Sequence, residues 1–73
     1  PSTTITFTLA APAQVTLTVY NLLGERVAVL VDARLGAGAH TARWSAAGSA
    51  SGVYVYRLVA GGSAATKLML FAK

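Results

Sequence analysis

Few residues of this 73-residue chain could do chemistry: one histidine, His40, two carboxylates, Glu25 and Asp32, and six cations, with no cysteine. Without a thiol there is no disulfide framework, no thiolate metal ligand and no sulfur nucleophile. One imidazole without cysteine cannot hold zinc, and two carboxylates fall well short of the roughly six to eight oxygens of a calcium cage. A serine–histidine–aspartate set can be composed on paper from Ser45, His40 and Asp32, yet no local pattern brings base and nucleophile together. His40 shares the parity of Trp44 and is expected as a packed, hydrogen-bonded histidine of the core. The small-residue loops lack the lysine and the strand–loop–helix setting of a phosphate cradle. The expectation is a chain with no catalytic residue, no cofactor and no metal, whose work is binding or addressing.

The cations are Arg26, Arg34, Arg43, Arg57, Lys67 and Lys73, giving a net charge of +4. They are spread one to a segment, without a basic run or interleaved exposed aromatics, so a nucleic-acid footprint is not expected. Charges on strand edges that discourage stray pairing explain them better. Charged residues make up 11% and hydrophobic residues 55%, against roughly 25–35% charge on a well-solvated surface. Some surface is therefore expected to be covered in the working state. The length fits one domain, residues 1–73, and a chain this small is marginal without a staple or a partner. No apolar run approaches the roughly 20 residues of a membrane-spanning helix, and no membrane insertion is expected. The start at Pro1, with no signal peptide near it, reads as an excised domain or a processed product.

Positioning falls to strands. Gly52-Val53-Tyr54-Val55-Tyr56-Arg57-Leu58 is the stretch around which the others are arranged. Tyr54, Tyr56 and Leu58 share one parity and Val53, Val55, Arg57 and Val59 the other, the period of a strand. Gly52 before them supplies a turn or lets another backbone approach. Ser2 to Leu9 sets threonines against Ile5, Phe7 and Leu9, and Gln14 to Tyr20 repeats the scheme with Val15, Leu17 and Val19. Asn21 to Gly24 makes a turn into a strand from Glu25 to Val31. There Leu30 breaks the parity of Val27, Val29 and Val31, through either a bulge or partial cover on both faces. Asp32 to Gly38 reads as a loop, Ala39 to Trp44 as a strand with Trp44 as core anchor, and Ala60 to Ala65 as a turn. Thr66 to Ala72 closes the chain. Six strands without helical periodicity predict an all-β antiparallel sandwich of six to seven strands, with a small barrel as the other architecture.

Several motifs occur in order: Pro1-Ser2-Thr3-Thr4-Ile5, Val19 to Val27, Gly38 to Trp44, Ser51 to Leu58, and Lys67-Leu68-Met69-Leu70. Together they resemble the C-terminal sorting domain of the type IX secretion system, and are similar to the immunoglobulin-like domain of flagellar hook-capping proteins. The resemblance covers nearly the whole chain. It implies a seven-stranded immunoglobulin-like fold at the end of a secreted protein, with sorting and cell-surface attachment as its function. The implied partner is the outer-membrane translocon or attachment machinery of a Bacteroidota-like bacterium, and the implied location is secreted or on the outer face of a Gram-negative outer membrane. Gly52, Tyr54, Tyr56, Leu58 and Lys67 match the shared positions of that family, and Lys73 its basic end. The Asn-Pro-Phe-Asn segment that usually comes before Pro1 is missing, Ala42 replaces a larger aliphatic, and the loop before Gly52 is short.

Recognition is expected on the last hairpin. If Leu68 and Leu70 point inward with Tyr54, Tyr56 and Leu58, then Val53, Val55, Met69 and Phe71 point outward. They would form an apolar patch flanked by Arg57 and Lys67, the sign of a contact surface. A slip of one residue would exchange the two sets. The candidate partner-recognition residues are Val53, Val55, Lys67, Met69, Phe71 and Lys73; Trp44, Gly52, Tyr54, Tyr56 and Leu58 are the structural core. A self-assembling structural subunit is the other functional expectation, by strand addition between copies or packing on a neighbouring domain. A sugar-binding module ranks last, since only Tyr20 is left to serve an aromatic platform.

Overall fold

Alternation of threonine with large apolar side chains builds the first two strands. In the computed structural model, which describes residues 2–45 and 51–71, β1 spans Thr3–Leu9 and β2 spans Ala13–Tyr20. Ile5, Phe7 and Leu9 of β1 and Val15, Leu17 and Val19 of β2 are buried. Four further strands follow: β3 (Arg26–Leu35), β4 (Gly38–Trp44), β5 (Gly52–Ala60) and β6 (Ser63–Phe71). They form two antiparallel sheets, β1-β4 and β3-β2-β5-β6. The molecule is a small antiparallel β-sandwich. Its pairings of β1 with β4 and of β2 with β5 are those of strands B with E and C with F in an immunoglobulin-like sandwich, with β3 and β6 as C′ and G.

The parity break at Leu30 has a bulge as its cause. The β2–β3 register shifts between Leu17 and Thr18 and again between Val19 and Tyr20. Two residues of β3 thus oppose one of β2 at these points. Val27, Ala28, Leu30 and Val31 all pack against the core, while Val29 turns to solvent. Beyond Val31 the strand continues through Leu35, where the sequence reads as a loop, because Asp32 to Leu35 find partners in Thr16 to Ala13. Gly36 and Ala37 alone then carry the chain from one sheet to the other. His40 clasps this corner, its ring nitrogen Nε2 donating to the Gly36 carbonyl at 2.7 Å, and its ring stacks on Phe7 with centroids 5.6 Å apart.

Two apolar clusters fill the space between the sheets. One gathers Ile5, Phe7, Leu9, Val15, Leu17 and Ala42; the other gathers Val19, Trp44, Tyr54 and Phe71. Trp44 lies edge-on to Tyr54 at 4.9 Å and tilted against Phe71 at 5.0 Å. Such aromatic pairs add roughly 0.5–1.5 kcal/mol beyond their buried area. Tyr56 and Leu58 are half-buried and pack against these clusters.

The last strand runs with the parity opposite to the one expected. Gly61 and Gly62 alone join β5 to β6, with Gly61 at φ +58, a backbone region open to glycine without steric cost. That two-residue turn sets Ala60 across from Ser63, and hence Tyr54 across from Met69 and Gly52 across from Phe71. Directly opposed residues share a face. Phe71 is therefore core at 1% exposure and Met69 is half-buried, while Leu68 and Leu70 face solvent at 70% and 71%. A wider turn from Ala60 to Ala65 would leave the register open by one residue, which is how the two sets come to be exchanged.

Candidate partner-binding surface

The outer face of the β5–β6 hairpin is apolar at one end. Val53 stands opposite Leu70, and Val55 opposite Leu68; the next pair is Arg57 with Thr66. Val53, Leu68, Met69 and Leu70 line a shallow groove of about 340 Å³. Val53 and Val55 hold the outward places expected of them, with Val53 exposed and Val55 half-buried. Met69 and Phe71 do not, and Leu68 and Leu70 take their part. Lys73 lies outside the described residues.

Charge on this hairpin has one sign. β5 and β6 contain Arg57 and Lys67 and no acidic residue. Lys67 sits opposite Tyr56 on the core-side parity, yet it is exposed. The reason is its place on the edge strand, of which only Met69 and Phe71 reach the core clusters. Gly52 has no heavy atom within 4 Å of where a Cβ would stand, so its φ of +155 rather than a close approach explains the glycine.

A second apolar feature lies at the same end of the sheet and escaped the sequence reading. The β2–β3 turn presents Leu22 and Leu23, the latter 86% exposed. Asn21 fixes this turn: its side-chain oxygen accepts from the backbone N–H of Leu23 and of Glu25, each at 3.0 Å. Its side-chain nitrogen donates to Glu25 Oε1 at 2.9 Å. Since Tyr20 pairs with Val55, the turn that follows Tyr20 projects toward the Val53–Leu70 end. The legible signal was a short loop whose only large side chains are leucines, with Asn21 and Gly24 closing it. Leucines there have no sheet face to turn to.

The titratable side chains elsewhere are engaged one by one. Asp32 Oδ1 accepts from Gln14 Nε2 at 3.3 Å, and His40 is committed to Gly36 and Phe7, so the two are engaged separately and not with Ser45. Among the described residues no group of three histidine, cysteine, aspartate or glutamate side chains is gathered. Tyr20 is half-buried, and the exposed large apolar residues described are all aliphatic. Among known proteins, no family model matches the chain, no curated protein matches it and no solved structure matches it.

Proposed function

We propose that this chain is a non-catalytic sorting and cell-surface attachment domain of a secreted bacterial protein, read through its last strand by a secretion translocon of the type IX kind. The observation that carries the reading is β6 itself: an edge strand that leaves Leu68 and Leu70 in solvent beside Lys67. Contiguous exposed apolar surface of this kind marks a contact site. The motif order from Pro1 to Leu70 supports the same assignment.

The test is a reporter fused ahead of residues 1–73 in a type IX-competent host. Export is expected for the parent and lost for the double variant Leu68→Ser, Leu70→Ser, whose stability should stay within about 0.5 kcal/mol of the parent as for most surface changes. Equal export of the two overturns the reading. Truncation of the last strand is a poor test, since it also removes Phe71 from the core.

A second reading, a structural subunit that assembles with its own copies, draws on the open edges of β1, β3, β4 and β6. Sedimentation of the isolated chain decides it. A monomer at high concentration eliminates self-assembly.

A further inference from the structure

We propose that the free edge of β6 accepts one extended strand whose side chains alternate apolar and acidic, the apolar ones beside Leu68 and Leu70 and the acidic one beside Lys67. The inference rests on the reading of β6 as the recognition strand and adds the chemistry of what it recognises. Among the described residues β6 ends the order β3-β2-β5-β6 and pairs with β5 alone. Its outward backbone groups form a template for a further strand. A strand added there lies about 4.8 Å away and sends successive side chains to opposite faces.

The two faces of that edge ask for different residues. On one, Leu68 and Leu70 are exposed, with Val55 and Val53 directly behind them. On the other, Lys67 is exposed between Ala65 and Met69. Neither β5 nor β6 supplies an acid. Glu25 is held in the β2–β3 turn by Asn21, and Asp32, on β3 at the far edge of the sheet, is bound to Gln14 of β2. The other edges present a different character. β3 mixes Arg26 and Arg34 with Asp32, and β1 turns Thr4, Thr6 and Thr8 to solvent. Only β6 joins exposed leucines to a cation without an acid. A second copy would bring the same cations and a further net charge of +4, and like charges across an interface oppose pairing. The complement is a partner strand of opposite sign.

Titration of the isotope-labelled 73-residue chain with two end-blocked peptides of about ten residues, a usual strand length, tests this. One alternates valine with glutamate, the other valine with lysine. The glutamate peptide should bind at least about tenfold more tightly at low salt, with amide shifts centred on β6, and the preference should shrink as salt rises. Lys67→Glu should reverse the preference and Lys67→Gln should abolish it. Leu68→Ser with Leu70→Ser should weaken both peptides. Equal binding, shifts centred on β1 or β3, or dimerisation of the chain in place of peptide binding overturns the proposal. Failure here with export still dependent on Leu68 and Leu70 would remove the partner chemistry and leave the sorting role standing; loss of that dependence would remove the role itself.

Discussion

Neighbouring residues of β6 have opposite duties. Phe71 is buried against Trp44 and Tyr54, and Leu70 beside it is in water. Phe71→Ala should cost about 3–5 kcal/mol, the usual range for a large aromatic removed from a core. Leu70→Ala should stay within about 0.5 kcal/mol. Urea unfolding of the pair measures this directly, and similar losses would mean that the strand's register is different. Trp44→Ala belongs with Phe71→Ala, while half-buried Tyr56 should lose less on truncation. Asn21 makes a different kind of contribution, since two backbone donors and Glu25 all depend on its side chain. Exposed hydrogen bonds are each worth roughly 0.5–1.5 kcal/mol, so Asn21→Ala should lose about 1–2 kcal/mol. Asn21→Asp, which keeps both acceptor contacts but sets a carboxylate against Glu25 in place of the donor, should recover only part of it in the same unfolding experiment.

At the scale of elements, contrast between faces decided what could be read. β1, β2 and β4 set threonine, glutamine or arginine against large apolar residues, so their inward sets were legible, down to Trp44 and the wet threonines. Thr18 is the exception. It faces away from the core yet is buried, because β2 is an interior strand and Val29 and Arg57 stand on either side of it. β6 offers no such contrast, since Leu68 and Leu70 are as apolar as Met69 and Phe71. Its parity was instead written in Gly61-Gly62, the composition of a two-residue hairpin turn, and counting outward from that turn puts Met69 opposite Tyr54. The bulges of β3 left only the mismatch of Leu30 as a trace. Lys67 was legible as an edge charge but not as one on the core-side parity, because its exposure comes from where the covering sheet ends. A chain ending at Thr66 should lack a cooperative thermal transition, since Met69 and Phe71 leave with the tail. A sharp melt would show that β6 is dispensable to the core.

The whole molecule closes through pairings of residues far apart in the chain. Thr3 lies across from Trp44, and Val15 across from Ala60. Loops of that length must close before their contacts repay the entropy. Refolding monitored by Trp44 fluorescence should therefore fall in the millisecond-to-second range of all-β domains. Microsecond refolding would mean that local hairpins, not β1–β4, carry the barrier. A domain this small has on the order of 5 kcal/mol in reserve, and β6 draws on the same strand for that reserve and for its outward display. Leu68 and Leu70 stand in a row only while Met69 and Phe71 are seated beneath them. A receptor that gripped that row would thereby be a proofreader: an unfolded or misregistered chain would show it the wrong alternate residues, so acceptance would certify that the domain had finished folding.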